Sequence, residues 1–436
     1  LKLKDDVFVD YETKNSLTVT VTASDQGGFT IDKTFTINVN DLVYATPEVS
    51  DIFFTKAVPL TDVLEIKALL WSYYEGQWND FAISLDPDDD PSTPLTITYS
   101  LFRTDSTLSS NYSNASSWGA QVGANIVNGS AAWEAMVDQA FAYWGEISGI
   151  TFVKVEETAN QVGDIRIGLS NGNFYSSGGF CVVPSGNSEQ YSNNSAAYDI
   201  WCRAAYDPET GSNYGPAILI HEIGHALGLA HTFWGYFSSL ETNTNLYSVM
   251  AYAGHAYIQD YWDTDGDGNN EWSPGYFYAS KPSINDIRAI QYIYGMTPDL
   301  NEGDTEYVYK GPVFDTIYDT GGNDTIDLSF YSDSNELNIT LDLRGGTVSK
   351  IGTDVLRITI PTAAGSSDSY WGDSGFPISI AENTVIENAI LGSGDDVITC
   401  NLAANTITCG SGNDIVYDIK TGDTVYGGDG IDRFSI

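Results

Sequence analysis

The stretch HEIGHALGLAH, residues 221–231, holds three of the chain's four histidines. It lies in a helically spaced segment, PAILIHEIGHALGL (216–229), opened by Pro216. His221 and His225 are four apart, so both imidazoles leave one helix face about one turn from each other. That spacing suits two ligands of one tetrahedral zinc ion. A third ligand on the same straight helix would point away. Gly228 answers this by admitting positive φ, which turns the chain and swings His231 back. Three neutral imidazoles leave a fourth position open for water, as catalytic zinc sites do. Glu222 follows the first histidine and is placed to take a proton from that water. The hydroxide then attacks a carbonyl polarised by zinc, and Glu222 passes the proton to the leaving amine. The expected chemistry is peptide hydrolysis.

The chain has 436 residues, room for two or three domains. It carries 59 acidic residues against 18 basic ones, a net charge of −41. Such a chain repels phosphate backbones and anionic membranes, which argues against nucleic acid as a partner. The carboxylates are either a solvated face or ligands for hard cations such as calcium, and their place in glycine-rich repeats favours calcium. No apolar run approaches the roughly 18 residues that would span a membrane. The chain opens on LKLKDD, with no methionine and no visible signal peptide, and reads as a piece of a longer protein. Its four cysteines, Cys181, Cys202, Cys400 and Cys409, are too few for a disulfide scaffold.

Residues 1–43 alternate as strands do, in LTVTVTAS (17–24) and KTFTINVN (33–40). Residues 44–59 read as a linker. Helical patterns lie at 64–78, 131–147, 216–229 and 283–295. In the second, Trp133, Met136, Val137, Ala140, Phe141 and Trp144 share one face. In the last, Ser283 and Asp286 approximate a capping box. Strand patterns lie at 95–102, 150–157 and 164–171. Beyond 300, Gly-Asp-Asn turns alternate with short β-branched runs. The expected order is a β module at 1–43, a linker at 44–59, a mixed domain carrying the histidines at 60–296, and β repeats at 297–436.

Residues 392–436 divide into nines: GSGDDVITC, NLAANTITC, GSGNDIVYD, IKTGDTVYG and GDGIDRFSI. This resembles the RTX nonapeptide, Gly-Gly-x-Gly-x-Asp-x-U-x, with U a large apolar residue. Asp396, Asp414, Asp423 and Asp432 take the aspartate position; Ile398, Val416, Val425 and Phe434 take the apolar one. Glycines permit tight turns, turn carbonyls and aspartates coordinate calcium, and the apolar residue points into a thin core. Asp324 in TGGNDTID (320–327) marks an isolated repeat. Asn405 replaces aspartate in NLAANTITC, and that half-turn is expected to be empty.

Met250, in SVMAY nineteen residues past His231, makes the histidine motif resemble the metzincin zinc endopeptidases, in which a methionine packs beneath the metal. Tyr252, two residues on, is similar to the serralysins, where the phenol stabilises the oxyanion. The helix at 283–295, NEGDT (301–305) and IKALLWSYYEGQW (66–78) also look serralysin-like, so the resemblance covers about 60–436. It implies an α+β catalytic domain, a twisted mixed sheet plus helices, followed by an all-β parallel β-roll or sandwich. It implies one catalytic zinc on His221, His225 and His231, with Glu222 and Tyr252 catalytic and Met250 structural. With the RTX likeness it implies several structural calcium ions held by Gly303, Thr305, Asp324, Gly394, Asp396, Gly412, Asp414, Asp423, Gly430 and Asp432. Protein or peptide substrates, a monomer, and secretion by the bacterial type I route complete the expectation.

Some features depart from that family. Thr232 stands where serralysins usually place proline, and Asn301 where NEGDT would have arginine. DYWDTDGDGNNEW (260–272) looks like an insertion; Asp263, Asp265, Asp267 and Gly268 mimic an EF-hand start, but the twelfth position is Pro274. His255 reads as structural or near the cleft. The family topology would put Cys181 and Cys202 on neighbouring strands, the better disulfide candidate, and Cys400 and Cys409 on opposite sides of a roll. VDYE (9–12), ASDQGG (23–28) and VND (39–41) resemble the closing half of a cadherin-type repeat, which makes the N-terminal part a β-sandwich fragment. A second reading stays open, an extracellular calcium-binding adhesion or matrix module with a vestigial peptidase site.

Overall fold

The computed structural model describes residues 16–24, 30–38, 54–57, 69, 80–84, 95–106, 108, 125–157, 162–172, 174, 178–182, 198–210, 214–232, 244–252, 255–262, 271–277, 279–296, 299–310, 313–331, 337–352, 355–361, 367–373 and 376–436. The chain forms two compact units, residues 1–46 and 47–436. In the first, β1 (Ser16–Ser24) and β2 (Thr30–Asn38) pair antiparallel, with Ser16 opposite Asn38. VDYE, VND and most of ASDQGG lie outside the described residues.

In the second unit, β3 (Phe54–Ala57) pairs antiparallel with β4 (Asp80–Ser84). Of the helix expected at 64–78 only Leu69 is described; it is helical and fully buried. Next come β5 (Thr96–Leu101), β6 (Ile126–Val127), β7 (Thr151–Lys154), β8 (Ile165–Ser170), β9 (Gly179–Cys181) and β10 (Ile200–Arg203). They form one mixed sheet in the order β7-β5-β8-β10-β9, with β6 also paired to β8. β7, β5, β8 and β10 run parallel, and β9 closes the sheet antiparallel to β10. β8 is buried at every position, as a central strand covered on both faces must be.

Parallel neighbours need a crossover, and α1 (Ala131–Ser148) supplies it between β5 and β7. Ser130 caps its start by accepting from Trp133 N–H at 3.1 Å, and Gly149, at φ 63°, ends it. Its buried stripe is Trp133, Val137, Ala140, Phe141, Trp144 and Ile147. α2 (Gly215–Ala226) packs on that stripe, and Trp144 Nε1 donates to Ile220 O at 3.2 Å. β11 (His255–Trp262) and β12 (Glu271–Phe277) form a hairpin whose acidic tip, 263–270, lies outside the described residues. α3 (Ile284–Tyr294) follows Ser283 as expected.

The cysteines are free thiols. Cys181 and Cys202 do lie on adjacent strands, but the register sets Cys181 opposite Ile200 and Cys202 opposite Gly179. They are diagonal neighbours, where Cα atoms lie about 7–8 Å apart, beyond the roughly 4.4–6.8 Å that a disulfide spans.

From residue 300 on, every regular element among the described residues is a β-strand. β13 (Glu306–Val308), β15 (Thr325–Asp327), β21 (Asn388–Ile390), β23 (Thr406–Thr408) and β25 (Thr424–Tyr426) stack as a five-stranded parallel sheet. Facing it, a seven-stranded sheet runs β14 (Asp315–Ile317), β20 (Phe376–Ile380), β17 (Thr347–Ile351), β16 (Ile339–Asp342), β22 (Val397–Thr399), β24 (Ile415–Tyr417) and β26 (Arg433–Phe434). β18 (Val355–Pro361) and β19 (Ser367–Asp373) make a separate hairpin. In the repeats each strand pairs with the one eighteen residues on, as Val397 with Ile415 and Thr406 with Thr424. Ile398, Ile407, Cys409 and Val416 are fully buried between the sheets. Phe434, expected inside, is 52% exposed because β26 is the edge strand of its sheet.

Candidate metal centre

α2 is buried along almost its whole length, from Ile218 to Ala226, so its histidines point into the protein. The rings of His221 and His225 meet edge to face, centroids 4.7 Å apart. The helix stops at Ala226, three residues short of the expected end. Gly228 takes φ 96°, and Leu229 N–H closes the turn on Gly224 O at 2.9 Å. The chain thereby reverses, and His231 Nε2 comes to 3.2 Å from His221 Nε2 and 3.1 Å from His225 Nε2. All three ligand atoms lie within 4.8 Å of one another.

The donor set fits zinc. Tetrahedral zinc with Zn–N bonds of about 2.0–2.1 Å holds its nitrogens roughly 3.3–3.4 Å apart. His221 Nδ1 lies 2.7 Å from Val249 O and His225 Nδ1 lies 2.7 Å from Leu229 O. Carbonyls only accept, so both Nδ1 atoms carry protons and both Nε2 atoms present lone pairs. Burial pushes His221 down to about 4 and His231 to about 3, and holds His225 well below the ordinary range. All three are neutral at pH 7, the state that binds metals.

Glu222 is buried between α2 and the sheet edge, where it accepts from the Cys181 N–H. Burial raises its carboxyl to about 8, against the lowering effect of that hydrogen bond. Met250 is fully buried beneath the helix. A Cβ built on Gly224 would lie 2.7 Å from Met250 Sδ and 3.2 Å from Trp144 Cζ2, so a larger residue between the two helical histidines would have to displace the buried Met250. Gly224→Ala is expected to lower the thermal midpoint and the metal content together; an unchanged midpoint in calorimetry would refute this packing argument. Tyr252 is 66% exposed, with its ring centroid 4.7 Å from that of His231 and 5.6 Å from that of His221. His255 begins β11, and Thr232 is buried just after the third histidine.

One contributor has almost no signature in the sequence. Asp286 stands out there only as a capping residue. Its carboxylate is fully buried and accepts from Ser283 N–H (2.8 Å), Ser248 Oγ (2.6 Å) and Val249 N–H (2.8 Å). Ser248 Oγ in turn accepts from Met250 N–H at 3.0 Å. Asp286 thus fixes the turn that carries Met250 and aims Val249 O at His221. Asp286→Asn is expected to weaken zinc binding roughly 10–100-fold, read by chelator competition; wild-type affinity would refute this. Besides that capping place, the sequence offers only a carboxylate among Ile284, Ile287 and Ile290.

The roll places the expected calcium residues in two stacks. Gly394, Gly412 and Gly430 lie one above another, with a Cβ on Gly412 only 2.1 Å from Gly394 O. Asp396 Oδ1 accepts from Ile339 N–H, Asp414 Oδ1 from Asp396 N–H, and Asp432 Oδ1 from Asp414 N–H. Thr305 N–H donates to Asp324 Oδ1, and Thr305 Oγ1 to Gly303 O. The second oxygens of Asp324, Asp396 and Asp414 are buried without a hydrogen-bond partner. Burial, helped by neighbouring carboxylates, raises Asp324 to about 6, Asp396 to about 7, and Asp414 as well. Asp423 differs, because its two oxygens accept from Asn405 N–H and Lys420 N–H.

No protein-family profile matches the chain. Among curated proteins it is similar to serralysin of Proteus mirabilis, 32% identical over 296 residues that make up 61% of this chain and 53% of the relative. Metalloprotease AprA of Pseudomonas entomophila is 30% identical over 296 residues (62% and 53%), and serralysin G of Dickeya chrysanthemi 30% identical over 302 (62% and 53%). The chain spans about half the length of the curated relatives it matches. Among solved structures, that of myroilysin aligns at a TM-score of 0.25 and 16% identity, over 46% of this chain and 93% of that one, too low to bear on the fold. Over about 60% of its length, the part that includes its three converging imidazoles, the chain is thus similar to serralysins and AprA metalloproteases.

Proposed function

We propose that the chain is a zinc-dependent endopeptidase that works outside the cell on protein substrates and is stabilised by calcium. One observation carries the reading: three buried imidazole nitrogens converge, two of the contacts at 3.1 and 3.2 Å, on a helix that also buries Glu222. His221, His225 and His231 would hold the zinc. When bound, zinc supplies a Lewis acid that polarises the scissile carbonyl and acidifies a water. Glu222 takes the proton of the attacking water at its carboxylate and delivers it to the leaving amine. Tyr252, exposed beside the imidazoles, donates a hydrogen bond to the developing oxyanion. Met250 and Asp286 hold the imidazoles in place.

The unpartnered oxygens of Asp324, Asp396 and Asp414 support calcium in the roll, because buried carboxylate oxygens without donors suit a hard cation. Gly303, Thr305, Gly394, Gly412, Gly430 and Asp432 line the same turns. Among the described residues no helix is long and apolar enough to cross a membrane. Secretion by a type I route and a monomeric state belong to the same proposal. The test is elemental analysis and casein cleavage of the whole chain supplied with zinc and calcium. One zinc per chain, lost together with cleavage in His225→Ala, is the expected result. A chain that binds no zinc, or binds it and leaves casein intact, overturns the proposal; calcium without zinc would favour the adhesion module.

A further inference from the structure

The structure assigns the half-turn at 401–405 a metal-free role: two asparagine amides clamp the roll there, so this half-turn, unlike the turns of Asp324, Asp396 and Asp414, needs no calcium. The assignment rests on the calcium reading of the roll.

One edge is the ladder Ile339, Asp396, Asp414, Asp432, the residues at or just before the starts of β16, β22, β24 and β26. Each aspartate caps the backbone N–H one coil back with Oδ1, at 2.7, 2.9 and 3.1 Å. Oδ2 of Asp396 and of Asp414 is left buried and without a donor. That edge asks for a cation.

The other edge is the ladder Thr305, Asp324, Glu387, Asn405, Asp423, the residues that precede β13, β15, β21, β23 and β25. Capping there runs from Thr305 N–H to Asp324, from Asp324 N–H to Glu387, and from Asn405 N–H to Asp423, at 2.8, 2.8 and 2.9 Å. Asn405 itself does something else. Its Oδ1 accepts from Asn401 N–H at 3.1 Å. Its Nδ2 donates to Glu387 O, Ile386 O and Asn401 Oδ1, at 3.1, 3.4 and 2.9 Å. Asn401 Nδ2 donates to Leu343 O and Ile386 O at 3.1 and 2.7 Å, and its Oδ1 accepts from Ala403 N–H at 2.9 Å.

Both amides are buried, Asn405 completely. Calcium needs six to eight oxygens. Here the available carbonyls already face N–H donors, and the ladder position carries no charge. The amides satisfy the buried carbonyls that a cation would otherwise satisfy.

The experiment is hydrogen exchange on the whole chain, with and without calcium, alongside calorimetric calcium counting. Without calcium, peptides over 401–409 are expected to stay protected, while those over 392–400 and 410–418 exchange at least tenfold faster. In Asn405→Asp the calcium count is expected to rise by one and 401–409 to become calcium-dependent. Wild type that binds calcium and loses protection at 401–409 without it overturns the clamp while leaving the calcium reading intact. An unchanged count in a folded Asn405→Asp chain also overturns it. A wild-type chain that binds no calcium overturns the calcium reading, and the contrast between this half-turn and the aspartate turns with it.

Discussion

Glu222→Gln is expected to lower kcat/KM on casein roughly 10²–10⁴-fold, the usual share of a general base, with zinc content unchanged. Glutamine keeps the shape of the side chain and can still accept from Cys181 N–H, the contact that seats Glu222 against the sheet edge. It cannot take a proton. The loss should fall on kcat with KM nearly constant, because the missing interaction is made only as the water attacks. The metal count is the control. Zinc is expected on His221, His225 and His231 alone, so elemental analysis should return the wild-type value. If zinc leaves with activity, Glu222 serves the metal and the proton-transfer role is wrong. If activity stays near wild type, the role is also wrong.

Without calcium, the roll is expected to lose stability as pH rises from 5 to 8, against the ordinary direction of acid denaturation. Burial comes first among the causes that raise Asp396 to about 7 and Asp324 to about 6; neighbouring carboxylates add to it. Asp414 is raised in the same way. An unfolded aspartate titrates near 3.9. The folded roll therefore keeps protons that the unfolded chain has released. Stability is highest below about 4 and drains away up to about 7, each tenfold fall in proton activity across that window costing at most roughly 1.4 kcal/mol per group. Calcium stabilises the charged carboxylates and should abolish the trend. Glu157 and Asp207, whose carboxyls are held low, change stability only below that window, in both conditions alike. The difference between calcium-loaded and calcium-free calorimetric midpoints at pH 5, 6.5 and 8 isolates the roll. That difference should widen by several degrees toward pH 8. A constant difference would refute the assignment of these aspartates.

Much of the centre is legible in one dimension. The four-residue step of His221 and His225 is a helix rule, and the turn at Gly228 follows from the φ that only glycine enters freely. The eighteen-residue register of the roll follows from stacking nine-residue half-turns. These are local facts, set by backbone geometry within a few residues. Asp286 is different. Reaching Ser248 and Val249 from α3 joins positions 37 and 38 residues apart, and no periodicity announces such a pairing. The cysteines make the same point. Their strands are neighbours, yet a two-residue offset keeps Cys181 from facing Cys202.

Asn405 separates the two levels most clearly. Its missing charge is plain from the repeat, and an empty half-turn is all that the repeat implies. That Asn401 joins it, and that the two amides take the carbonyls of Leu343, Ile386 and Glu387, depends on coils 15 to 58 residues away. Spacing along the chain settles which side chains leave one face of a helix or one rung of a roll. Which buried donors find which acceptors is settled only when distant segments pack, because a hydrogen bond is made by position in space and carries no period in the sequence.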